Sequence, residues 1–74
     1  MRNEANFKVF QSSNIHSGSY DPETQTMTIR FGNGSTYNYA SVPPEVWSRL
    51  TSAPSPGQYF HGYIKPVFTG SRAE

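Results

Sequence analysis

The clearest pattern in the chain is an alternation of apolar and polar residues over Thr26–Phe31. A period of two is typical of a β-strand that buries one of its faces. The next residues, Gly32-Asn33-Gly34, form a turn signal, because Asn-Gly supplies the positive φ angles that tight hairpin turns need. A second strand is predicted over residues 36–40, so this part of the chain should form a β-hairpin.

The register of the hairpin decides which face of the sheet carries Tyr37 and Tyr39. A two-residue loop pairs Phe31 with Thr36 and mixes apolar and polar side chains on each face. A three-residue loop pairs Phe31 with Ser35 instead, and it gives one apolar face and one wholly polar face. We favour the three-residue loop because a strand with one buried face needs its apolar residues on that face. Both tyrosines then lie on the apolar side.

Weaker patterns on either side of the hairpin predict the remaining elements. Residues 7–10 are compatible with a short strand or an ordered lead-in, and another short strand is expected over residues 14–20. After the hairpin, apolar residues recur at helical spacing over residues 43–53 and again over residues 56–64. A proline near the start of each of these segments fits the first turn of a helix, and Pro66 should stop the second helix.

These elements predict an α+β domain, in which an antiparallel sheet of three or four strands is packed on one face by two short C-terminal helices. A chain of 74 residues is long enough for one domain. We expect that domain over residues 1–74, with its core in residues 9–68 and frayed ends at residues 1–6 and 70–74. Hydrophobic residues make up 34% of the chain and aromatic residues 15%, so the small core must rely on large rings.

Charge and cysteine content limit the classes of function. Six basic and five acidic residues give a net charge of +1, so binding to nucleic acid would need local clustering of cations or base stacking. The absence of cysteine excludes disulfides and thiolate metal sites, and it fits a reducing cytoplasm. The chain also lacks an apolar run typical of a signal peptide or membrane span. We therefore expect a cytoplasmic location and no contact with membranes.

Catalytic and metal-binding patterns are weak in this sequence. His16 and His61, with Asp21, lack the close spacing that is typical of metal sites. The chain has no nucleophile elbow, glycine-rich phosphate loop or paired-carboxylate pattern. We therefore predict that the protein is not an enzyme and that it uses neither a metal nor a cofactor.

Three short motifs stand in a definite order along the chain, namely Ser12-Ser13-Asn14-Ile15, Tyr37-Asn38-Tyr39 and Val42-Pro43. They are accompanied, at matching spacings, by Tyr20-Asp21, Ile29, Phe31, Gly34, Leu50, Ala53, Ser55, Gly57, Phe60 and Ile64. Together these residues resemble the KTSC domain family over roughly residues 9–68.

The resemblance implies a possible ligand class but no established activity. The KTSC family is named for a segment at the C-terminus of some lysyl-tRNA synthetases, and it also occurs as free-standing small proteins in bacteria and their phages. The association with the synthetases suggests RNA binding. The Ser-Lys-Gly that is typical of the helix junction in this family is Ser55-Pro56-Gly57 here, which removes one cation, whereas the late basic residue is kept as Lys65.

We therefore expect a non-enzymatic binding module, with RNA favoured over DNA as its ligand. The alternative is a phage- or prophage-encoded module that binds or inhibits a host protein and works in the host cytoplasm. A monomer and a homodimer joined at an open sheet edge are both compatible with the sequence. The candidate binding residues are Ser12, Ser13, Tyr37, Tyr39, Trp47, Arg49, Ser55, Gly57, Tyr59, His61 and Lys65.

Each of these candidates also has a purely structural interpretation. The hairpin register favours tyrosines that fill the core, although strand aromatics also stack on bases in single-strand binders. The serines and Gly57 fit ordinary turns and caps as well as phosphate contacts. Trp47 fits the apolar stripe of a helix, and it would become an interaction anchor if it were exposed beside Tyr59. The cations fit a solvated surface.

Overall fold

A computed structural model describes residues 6–10, 12 and 14–73. Over these residues the chain forms a single antiparallel sheet of five strands, which lie side by side in chain order. The strands are β1 Phe7–Val9, β2 Ile15–Asp21, β3 Thr26–Phe31, β4 Thr36–Tyr39 and β5 Gly70–Arg72. Two helices, α1 Pro44–Ser52 and α2 Pro56–Tyr59, lie between β4 and β5 in the chain, and a π-helical turn, Phe60–Ile64, continues α2.

The predicted α+β class is confirmed, with one more strand than the three or four expected. The additional strand is β5, which lies in the segment that the sequence analysis expected to fray. It pairs with β4 so that Gly70 is opposite Tyr39. A Cβ atom on Gly70 would lie 2.6 Å from Cε2 of Tyr39, so only glycine allows this close approach. Because the strand is short and has no apolar alternation, the sequence carries no strand signal there.

The predicted hairpin register is also confirmed. The Phe31 N–H donates to the Ser35 carbonyl oxygen at 2.8 Å, which closes the three-residue loop. Gly34 has a φ angle of 94°, as the left-handed position of this loop requires. Tyr37 pairs with Ile29, and the next pair on this face joins Met27 to Tyr39, so both tyrosines lie on the apolar face of the sheet.

The helices cover this apolar face and close the core. In α1, Pro44 occupies the first turn and Glu45 lies at the positive end of the helix dipole. The helix ends at Ser52, just before Ala53 and Pro54, because a residue that precedes proline disfavours the helical conformation. The largest fully buried side chains come from both layers, and they are Ile15, Met27, Ile29, Val42, Leu50, Phe60 and Ile64.

Trp47 joins α1 to the sheet by aromatic contacts. Its ring stacks on Tyr20 with centroids 5.9 Å apart, and it meets the edge of Phe10 at 6.4 Å. The Tyr20 hydroxyl donates to the carbonyl oxygen of Val42, so its polar atom is satisfied inside the core. Burial, followed by the charge of Asp21, raises the pKa of Tyr20 above its ordinary value.

Candidate functional site

A cleft of about 480 Å³ opens between the sheet and the π-helical turn. Aromatic rings make up most of its wall, and two basic side chains stand beside them. None of the described residues that line it carries a carboxylate. We call it the aromatic cleft, and its lining residues are Phe31, Tyr37, Tyr39, Phe60, His61, Lys65, Phe68, Thr69 and Gly70.

The rings of the aromatic cleft form a connected edge-to-face cluster. Phe60 is almost fully buried, and its ring lies 5.4 Å from Phe31 and 5.5 Å from Tyr39. Phe31 also contacts Tyr37, with centroids 5.6 Å apart and an interplanar angle of 79°. Contacts of this kind hold ring planes in fixed orientations. The cleft therefore presents a preformed apolar wall.

The two tyrosines of the hairpin differ in their exposure. Tyr39 keeps only 5% of its surface exposed and belongs to the core, whereas Tyr37 is half-buried and stands at the side of the cleft. Burial, followed by interaction with Tyr37, raises the pKa of Tyr39 above its ordinary value. Tyr39 therefore serves mainly to support the wall, and Tyr37 offers the accessible ring.

The basic side chains of the aromatic cleft come from the helical side. His61 and Lys65 are four residues apart, so they lie on one face of the helical segment, and both are exposed. The Lys65 N–H donates to the Phe60 carbonyl oxygen at 2.9 Å, which is the five-residue bond of a π-helical turn. Such turns are rare in α-helices and occur frequently at functional sites. The turn ends at Ile64, as the sequence predicted from Pro66.

A third basic residue lies on the same face of the sheet as Tyr37. In the ladder between β4 and β5, Arg72 is directly opposite Tyr37, and paired residues of an antiparallel sheet share a face. Arg72 is exposed. Arg72 was not among the predicted site residues, because it lies in the segment that was expected to fray. Phe31 and Phe60 were also not among the predicted site residues. The sequence did contain a signal for Phe31, since the predicted hairpin register placed it on the same face as the tyrosines.

The predicted residues near the helix junction lie in a separate region, where Ser12, Ser55 and Gly57 line a smaller groove of about 240 Å³. The Ser12 hydroxyl accepts a hydrogen bond from the Asn14 N–H at 3.2 Å. A Cβ atom on Gly57 would lie 2.8 Å from Ser12 Oγ, so the loop rests directly on the start of α2. The Ser55 side chain makes no capping hydrogen bond to α2. Ser13 lies outside the described residues.

The remaining candidates are not brought into the aromatic cleft. Trp47 is 6% exposed and is a core residue, so it does not stand exposed beside Tyr59. Arg49 is exposed in the last turn of α1 and does not line the cleft. The Tyr59 ring lies 5.0 Å from that of Tyr63, in a separate groove with Pro54. Of the eleven predicted residues, the structure therefore joins Tyr37, Tyr39, His61 and Lys65.

The described part of the chain contains neither a metal-ligand cluster nor a membrane-spanning helix. Within residues 6–10, 12 and 14–73, no group of three or more histidine, aspartate or glutamate residues is arranged to hold a metal ion. No helix in this part is both long and apolar enough to cross a membrane.

Comparison with known proteins identifies the family. Residues 11–68 match the family model of the KTSC domain. The chain belongs to the KTSC family. A lysine–tRNA ligase from Nostoc sp. (strain PCC 7120) is 48% identical over 58 residues, which cover 78% of this chain and 10% of the ligase. An uncharacterised protein from Stutzerimonas stutzeri is 45% identical over 58 residues, which cover 78% of this chain and 82% of that protein. This chain therefore spans about a tenth of the length of the ligase and most of the length of the Stutzerimonas protein.

A solved structure supports the same assignment. A KTSC domain protein from Yersinia pestis superposes with a TM-score of 0.84 and is 35% identical in sequence. The match covers 92% of this chain and 96% of the Yersinia chain. The family resemblance that the sequence motifs indicated is thus confirmed.

Proposed function

We propose that this KTSC domain is a non-enzymatic module that binds single-stranded RNA in the aromatic cleft. One observation supports this proposal most directly. The cleft joins the accessible ring of Tyr37 to the basic residues His61 and Lys65, and the described residues that line it include no carboxylate. Aromatic rings stack on unpaired bases, and basic side chains attract the phosphates that link them.

The cleft also explains how a protein of net charge +1 can bind a polyanion. The attraction of phosphates depends on the cations that contact them, and not on the charge of the whole molecule. In this protein two of the basic side chains are gathered at one cleft. A base that stacks on an exposed aromatic ring adds roughly 1–3 kcal/mol, so local contacts suffice.

The preference for RNA over DNA and for single strands has separate support. A segment 48% identical to this chain occurs in a lysine–tRNA ligase, an enzyme whose substrate is an RNA. The bases of a duplex are stacked on one another, whereas unpaired bases are free to enter a cleft between a sheet and a helix. A cytoplasmic location fits this ligand and is part of the proposal.

Fluorescence anisotropy with a labelled single-stranded RNA tests the proposal. We expect the wild-type protein to bind at low salt and to lose affinity as salt rises, and we expect Lys65→Gln to weaken binding. Arg49→Gln is the matched control, because it removes the same charge from an exposed residue that does not line the cleft. Absence of binding at low salt, or equal loss in both variants, would contradict the proposal.

A second candidate function is recognition of a protein partner. Two large apolar side chains, one in the π-helical turn and one just after it, are largely exposed. The exposed fraction is 66% for Tyr63 and 69% for Val67. Exposed apolar residues of this size are common at protein interfaces. If a partner from bacterial lysate remains bound after nuclease treatment, and is lost with Tyr63→Ser but not with Lys65→Gln, the protein partner replaces RNA as the preferred ligand.

A further inference from the structure

We infer that the ligand of the aromatic cleft is an oligonucleotide with at least two phosphates, one bound inside the cleft at Lys65 and the next bound outside it at Arg72. This inference rests on the proposed function, because it names the smallest ligand that uses the whole surface. Arg72 thereby becomes a binding residue of β5.

The position of Arg72 follows from the sheet register. Arg72 pairs directly with Tyr37, and directly opposed residues in an antiparallel sheet have Cβ atoms about 4.5–5.5 Å apart on the same face. The Ala73 N–H donates to the Thr36 carbonyl oxygen at 2.8 Å, which extends the pairing beyond Arg72. The guanidinium group is therefore carried on a paired strand next to the accessible ring of the cleft.

The second phosphate follows from where the basic side chains lie. Lys65 and His61 line the cleft from the helical side, whereas Arg72 is exposed on β5 and does not line the cleft. A phosphate beside Lys65 therefore lies in the cleft, and a phosphate beside Arg72 lies outside its mouth. We therefore assign the two positions to two phosphates of one chain of linked nucleotides, with a base on Tyr37 between them.

Charge complementarity favours this occupant. The surface formed by Tyr37, His61, Lys65 and Arg72 combines three basic side chains with an aromatic ring, and no described residue that lines the cleft is acidic. Arginine is well suited to bind a phosphate because its planar group donates two parallel hydrogen bonds.

The sheet provides a matched control for Arg72. Arg30 pairs with Thr36, and it therefore lies on the opposite, polar face of the same sheet. It is exposed like Arg72. Arg30→Gln thus removes the same charge from a neighbouring strand without changing the face that carries the aromatic cleft.

The experiment measures affinity for 5′-phosphorylated uridine oligonucleotides of one, two and four nucleotides over a range of salt concentrations. We expect the dinucleotide to bind about tenfold more tightly than the mononucleotide, since it adds one charge-assisted contact. Arg72→Gln should reduce the slope of log affinity against log salt by about 0.7 for the longer ligands, which corresponds to one phosphate on a single strand. It should leave the affinity for the mononucleotide unchanged.

Further variants separate a ligand contact from a loss of structure. Arg72→Lys keeps the charge and should retain the wild-type slope, and Arg30→Gln should also retain it. If Arg72→Gln and Arg30→Gln give equal slopes, or if the mononucleotide binds as tightly as the tetranucleotide, the inference is wrong. Failure of the proposed function has a different signature, because the wild-type protein would then bind none of the three ligands at low salt.

Discussion

The two ends of the second helical segment are built in opposite ways. At its start, Gly57 lies so close to the Ser12 loop that a Cβ atom would come within 2.8 Å of the serine hydroxyl oxygen. At its other end, the aromatic cleft opens between the π-helical turn and the sheet, with His61 and Lys65 beside it. Both ends carried residues that the sequence marked as candidates.

The contrast separates candidates that line the aromatic cleft of about 480 Å³ from candidates at a smaller groove of about 240 Å³, where Gly57 is packed against Ser12. At the start of the segment, the polar side chains contact the neighbouring backbone, as when Ser12 accepts the Asn14 N–H. At the other end, half-buried Phe31 and Tyr37 leave ring surface accessible next to the basic side chains of His61 and Lys65. We therefore expect substitutions at the start to change stability, and substitutions at the cleft to change binding.

The largest effect is expected at the start of the segment, where Gly57→Ala should lower the free energy of unfolding. The added methyl group would meet Ser12 Oγ at 2.8 Å and Asn14 Nδ2 at 3.1 Å, so the loop has to shift. Overpacking of this kind costs about 1–3 kcal/mol of unfolding free energy, measurable by urea denaturation. Gly62→Ala is the control in the same segment, because its Cβ would meet nothing within 4 Å. Equal stability of the two variants would remove the contrast between the ends.

A smaller effect is expected at the cleft, where Tyr37→Ala should weaken RNA binding. The lost stacking surface is half-buried, so we expect about 1 kcal/mol, at the low end of the range of about 1–3 kcal/mol per base. Tyr37→Phe keeps the ring and should keep most of the affinity. Ser55→Ala, at the other end of the segment, should bind like the wild-type protein in the same anisotropy titration. A loss of affinity with Ser55→Ala would show that binding extends to the helix start.

The smallest effect concerns Tyr39, which we interpret as a core residue behind the cleft. Burial, and then interaction with Tyr37, raises its pKa above the ordinary value of 10.0. Above about pH 10 the unfolded chain therefore loses this proton while the folded chain keeps it, so stability falls as pH rises. Tyr39→Phe should lose less unfolding free energy than the wild-type protein between about pH 9 and about pH 11. Identical pH dependence would mean that the hydroxyl is not desolvated.

The hairpin shows how much of this fold the sequence determines locally. Asn33 and Gly34 define a tight turn, and the alternation before it selects the register that pairs Ile29 with Tyr37. The two helices were predicted for similar reasons, because prolines delimit them and apolar residues recur at helical spacing. The turn, the register and the helix boundaries depend on residues that are close along the chain, so they can be predicted from one sequence.

The aromatic cleft could be predicted only in part. His61 and Lys65 were candidates, and so was Tyr37, but their meeting depends on how the helical segment docks on the sheet. Arg72 could not be predicted, because β5 has no periodic pattern and is held by its pairing with β4. Trp47 was a candidate anchor only if it were exposed beside Tyr59, and its contacts with Phe10 and Tyr20 make it the core residue that its place in the helical stripe indicated.

The order of the strands in the sheet has a consequence for how the cleft assembles during folding. Strands β1, β2 and β3 each pair with the next strand in the chain across a short loop, so their contacts close at low entropic cost. Strand β5 pairs with β4 across the whole helical region, residues 40–69, and such distant contacts form late. The strand that carries Arg72 is therefore expected to be the last to join the sheet, and its amide protons should exchange with solvent before those of β2 and β3.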